Sequence, residues 1–63
     1  MRIVFTHDTT EDELFTSMGG SPIIPRVDEK VVIDGAMYEV AQVIHWFDLK
    51  EPSEHIEITL FPI

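Results

Sequence analysis

Three histidines and 12 Asp and Glu residues carry most of the acid–base and metal-binding capacity of this chain, which contains no cysteine. His7, His45 and His55, with Asp8 and Glu57 nearby in sequence, offer nitrogen and oxygen donors of the kind that hold zinc or iron. Metal ligands must recur at spacings that bring them to one face, and the chain has neither H-x-x-x-H nor H-x-H. No metal or other cofactor is expected. If the last two strands pair with Phe47 opposite His55, then His45 falls opposite Glu57, and the two make a cross-strand ion pair at low pH.

Two carboxylates do acid–base work where a pocket drives their pKa values apart. Here Glu11, Asp12 and Glu13 stand where a helix start favours negative charge, and Asp28 and Asp34 stand in turns. A domain built from so short a chain fills its interior with side chains, leaving no such pocket. There is no triad signature and no nucleophile elbow. Gly19-Gly20 lacks the following lysine and the strand–loop–helix context of a phosphate loop, and reads as a helix stop. The expectation is a protein without enzymatic activity.

The informative residues are apolar. In Val43-Ile44-His45-Trp46-Phe47 a strand places Val43, His45 and Phe47 on one side and Ile44 and Trp46 on the other. One small core takes only one of these sets. Phe61 and Ile63 add to the surplus, being out of phase with Ile56, Ile58 and Leu60. The second set must be covered by a short helix carrying Leu14, Phe15 and Met18, by a second copy or by a partner. Exposed apolar patches on small domains mark interaction sites, and aromatic anchors dominate binding energy.

Composition bounds the setting. The chain has 63 residues, 44% of them hydrophobic, and a formal charge of −8 from 12 acids against 4 bases. That is one small domain spanning residues 1–63, rich enough in apolar groups to fold. Burying only about 60% of its unfolded surface, such a domain is marginally stable. Arg2, Arg26, Lys30 and Lys50 are too few and too scattered to neutralise phosphates, so direct nucleic-acid binding is not expected. An acidic surface is instead steered toward a basic protein. No apolar run reaches the ~20 residues of a membrane span and no signal-peptide pattern appears, which predicts a cytoplasmic protein without membrane contact.

The elements that must position these groups are mostly strands. Arg2–His7 is rich in β-branched and aromatic residues. Thr10-Glu11-Asp12-Glu13 has the form of a capping box, and Leu14, Phe15 and Met18 form an apolar stripe, predicting one short helix near residues 11–18. Ser21–Pro25 is held extended by its prolines as an edge or connector. Asp34-Gly35 between β-rich runs signals a tight hairpin. The run from Tyr38 to Asp48 is long enough to need a bulge. After a Leu49–Ser53 loop, Glu54–Ile63 alternates as a strand with one buried face.

The stretch Pro25-Arg26-Val27-Asp28-Glu29-Lys30-Val31-Val32-Ile33-Asp34-Gly35-Ala36-Met37-Tyr38-Glu39-Val40-Ala41-Gln42-Val43 resembles the opening meander of small Src-homology-3-like barrels, a look shared by many short bacteriophage proteins. The predicted fold is mainly β, a small Src-homology-3-like barrel or a bent antiparallel sheet with one short helix; a ferredoxin-like or other open α+β sheet is the alternative. With the charge, the resemblance implies an acidic protein-binding module, a phage-encoded inhibitor docking on a basic surface of a host nucleic-acid-binding or defence enzyme. Trp46, Phe47, His45 and Phe61 would anchor it, and Glu11, Asp12, Glu13, Glu51, Glu54 and Glu57 would steer it. The alternative is a structural or assembly protein, a virion component or homodimer, using the same patch.

Overall fold

The computed structural model describes residues 2–18, 23–47 and 54–63, with Met18 described by its backbone. Among them five strands form one sheet: β1 (Arg2–His7), β2 (Glu13–Met18), β3 (Lys30–Ile33), β4 (Ala36–Trp46) and β5 (His55–Pro62). Their order is β2-β1-β5-β4-β3, with β1 and β5 parallel and the other neighbours antiparallel. The protein is mainly β, and the sheet curls into a half-barrel.

The alternation of Ile56, Ile58 and Leu60 fixes which face is inside. Along β5 these three are buried while Glu57, Thr59 and Phe61 are half-buried on the outer face. Cross-strand rows then follow from the register: Ile3–Ile56–His45, Phe5–Ile58–Val43 and His7–Leu60–Val40 on the inner face. Ile3, Phe5, Val40, Ile56, Ile58 and Leu60 are the buried core, with Leu14, Ile24, Val31, Ile33, Tyr38 and Val43 packed around it. In β4 the bulge lies between Val40 and Gln42, leaving Ala41 unpaired. That extra residue resets the phase, so Val40 and Val43 both point inward although three positions apart.

Asp34 (φ 51°) and Gly35 (φ 83°) close the β3–β4 hairpin, with Ile33 opposite Ala36. Positive φ at both central positions makes the primed turn that Asp-Gly favours. A Cβ at Gly35 would meet nothing within 4 Å, so it is the backbone and not crowding that calls for glycine there.

No helix occurs among the described residues, and the expected helix over residues 11–18 is corrected to strand β2. Glu11 has φ 64°, a left-handed conformation incompatible with a helical first turn. The Thr10 hydroxyl accepts from Asp12 N–H at 3.3 Å, two residues on, and not from Glu13 as a capping box requires. The turn is closed by His7, whose backbone N–H donates to Asp12 O and whose carbonyl accepts from Glu11 N–H. The adjacent Leu14 and Phe15, read as a helical stripe, are explained by a second bulge: Phe5 pairs Phe15 and Thr6 pairs Glu13, so Leu14 is the extra residue. A two-turn helix is marginal in water, whereas pairing with β1 supplies a full ladder of backbone hydrogen bonds.

The register of the last hairpin is not the one that would set Phe47 opposite His55. Trp46 pairs with His55, His45 with Ile56 and Ile44 with Glu57, so His45 and Glu57 lie on opposite faces and make no cross-strand pair. A slip of one residue exchanges the faces of a whole strand, and the buried alternation of β5 decides which pairing holds. The Gly19-Gly20 stop, the Ser21–Pro22 half of the proline connector, and the Leu49–Ser53 loop with Glu51 lie outside the described residues.

Candidate functional site

The two ends of the sheet are chemically distinct. The upper end carries the β1–β2 and β3–β4 turns; the lower end carries Arg2, His55 and Trp46, where β1 and β5 begin and β4 finishes. Of the ten residues expected to bind a partner, five gather at or near the lower end: His45, Trp46, Phe47, Glu54 and Glu57. Glu11, Asp12 and Glu13 stand at the upper end, about 20 Å away along a six-residue strand. Phe61, paired with Glu39, is also toward the upper end, half-buried on the outer face. Glu51 is outside the described residues.

At the lower end the outer face is organised around Glu57. Trp46 Nε1 donates to its Oε1 at 3.1 Å, and Thr6 Oγ1 donates to its Oε2 at 3.1 Å. Both donors come from diagonal positions on the neighbouring strands, within side-chain reach on one face of a sheet. The indole is also stacked on His55, its direct cross-strand partner, at 5.9 Å between centroids and 13° between planes. Trp46 is thus held in one orientation and is still 48% exposed. Both oxygens of Glu57, a residue expected to steer a partner, accept hydrogen bonds from neutral donors.

On the inner face His45 stacks on Phe47, two residues along, at 6.4 Å and 11°. Phe47 is 72% exposed. His45, Trp46, Phe47, Glu54, His55 and Ile56 line a crevice of about 50 Å³. Behind it, Ile24–Val27 of the connector and Val43 and His45 of β4 enclose an open hollow of about 560 Å³. The end of β4 therefore presents aromatic rings from both faces of one sheet. Sequence reading missed His55 and Thr6 as parts of this arrangement, because their roles depend on the hairpin register and on the β1–β5 pairing, which joins residues some fifty positions apart.

Two further pairs of titratable groups are engaged locally. His7 Nδ1 accepts from Thr9 and Thr10 N–H at 3.1 and 3.3 Å and lies 3.7 Å from Asp8. Lys30 pairs with Glu39 at 3.4 Å across the β3–β4 ladder. Among the described residues no three His, Asp or Glu side chains converge as a metal site would require. Among the described residues no helix is long and apolar enough to cross a membrane.

The chain matches no family model, no curated protein and no solved structure.

Proposed function

We propose that the chain is a non-enzymatic, acidic protein-binding module that docks the lower end of its sheet on a basic surface of another protein. The observation that carries this reading is Trp46: fixed by Glu57 and His55, yet 48% exposed beside a still more exposed Phe47. A rigid aromatic anchor loses little conformational freedom on binding, and such anchors dominate interface energetics. Covering one such ring at ~25 cal/mol/Å² contributes a few kcal/mol. The charge of −8 supplies long-range attraction to a basic partner and disfavours phosphate backbones.

In its most concrete form the module is an inhibitor of a nucleic-acid-binding or host-defence enzyme, encoded by a bacteriophage and acting in the host cytoplasm. That form draws on the acidic surface and on the sequence resemblance to small phage barrels. The test is affinity capture from host extract with wild type and Trp46→Ala. A partner retained by wild type, released by salt and lost with the substitution is expected. A partner indifferent to both, or none, contradicts the reading.

A second reading, a virion or assembly component or a homodimer using the same patch, is supported by β2 and β3, which among the described residues are the edges of the sheet. Bringing together copies that each carry −8 opposes it.

A further inference from the structure

The half-barrel leaves β2 and β3 as edges, and its curl turns them toward one another. Between them lies a groove of about 480 Å³, lined from the β2 side by Phe5, Leu14 and Phe15 and from the β3 side by Val31, Ile33 and Asp34. That volume is within the range of sites that hold ligands. Phe15 is packed on Phe5, with ring centroids 6.1 Å apart, and is still 52% exposed along the groove. Ile24 of the connector packs on the core, and Asp34 in the lining places one end of the groove at the β3–β4 turn, at the upper end. Among the described residues the edge of β2 also lacks the usual protection. From Leu14 to Ser17 it has no charge and no proline, and its bulge is confined to its first residues.

We propose that this seam receives an extended peptide segment of a partner protein, added as a strand along β2, with alternate apolar side chains in the groove and basic side chains outward. Strand addition satisfies the open backbone edge, while the pockets select alternate residues. Charge selects the occupant. Glu11, Asp12 and Glu13 on one edge and Asp34 on the other stand at the upper mouth of the seam. None of the four has an ion-pair partner among the described residues. A second copy would bring like-charged rims together; a lysine- or arginine-bearing strand is complementary. The inference rests on the reading of an acidic protein-binding module but uses a surface separate from Trp46.

The test is fluorescence anisotropy with a synthetic peptide of alternating valine and lysine, about six residues long to match a strand. Saturable binding is expected to wild type and to Trp46→Ala alike, weakened roughly tenfold or more by Phe15→Ser. N-methylation of alternate peptide amides, or recasting the same composition as a valine block and a lysine block, is expected to abolish it. Circular dichroism and the unfolding midpoint establish that Phe15→Ser remains folded. Equal binding of the block peptide, or indifference to Phe15→Ser, overturns strand addition. Absence of binding to the alternating peptide overturns the seam as a site. Binding lost in Trp46→Ala and kept in Phe15→Ser removes the seam while leaving the docking role of the lower end intact.

Discussion

At the scale of single residues, the main organising contact is the acceptance by one carboxylate of two donors from two strands. Glu57 ties Trp46 of β4 to Thr6 of β1 across β5. The geometry separates its charge from its hydrogen-bonding role. In Glu57→Gln the amide oxygen still accepts from the indole N–H, and the amide nitrogen donates to the Thr6 hydroxyl, so both links persist. In Glu57→Leu neither donor has a protein acceptor. Glu57→Gln is expected to unfold within about 1 kcal/mol of wild type, and Glu57→Leu to lose roughly 1–3 kcal/mol, as urea denaturation would show. The chain has a single tryptophan, so its emission reports the surroundings of this one indole. A change of emission in Glu57→Leu but not in Glu57→Gln identifies the hydrogen bond, and not the charge, as what orients the ring.

At the scale of elements, strands with a one-sided burial pattern were readable and those shaped by a distant neighbour were not. β1, the Asp34-Gly35 hairpin, the long bulged β4 and the alternating β5 all follow from local composition and period. β2 did not, because Thr10–Glu13 satisfies a helix-start pattern and Leu14-Phe15 fits a helical stripe as well as a bulged strand. The free edge of β1 decides between them, and that edge is a tertiary fact. The register of β4 on β5 was missed for a similar reason, since one residue more or less in the connecting loop leaves the composition unchanged and reverses the faces. The surplus of apolar rings was legible; their division between a lower end and a seam was not, because the curl of the sheet creates the seam.

The same contrast gives an energetic prediction for the elements. Leu60 is fully buried at the centre of an inner row, and Phe47 stands at the rim just past β4. Leu60→Ala is expected to lose about 2–5 kcal/mol, a large part of the roughly 3–9 kcal/mol available to a chain of this length at 0.05–0.15 kcal/mol per residue. Phe47→Ala is expected to change stability by no more than about 0.5 kcal/mol, as for surface positions. Thermal unfolding compares the two directly. A loss at Phe47 as large as that at Leu60 would give the ring a structural role and remove it as a free anchor.

For the molecule as a whole, a small core and an excess negative charge act together. Among the described residues six buried side chains hold the half-barrel, while Phe15, Trp46 and Phe47 remain in contact with water. Self-association is the simplest way to cover such groups, and the −8 charge works against it. Docking through this end accordingly requires an exposed indole in an acidic field on a lone protomer. Quenching of Trp46 emission by caesium and by iodide, followed across protein concentration alongside sedimentation, measures all three conditions at once. Ready quenching is expected, more effective by the cation than by the anion and unchanged as the protein is concentrated. An indole that neither ion reaches until the protein unfolds, or that becomes shielded as copies associate, would contradict a docking surface held open for a basic partner.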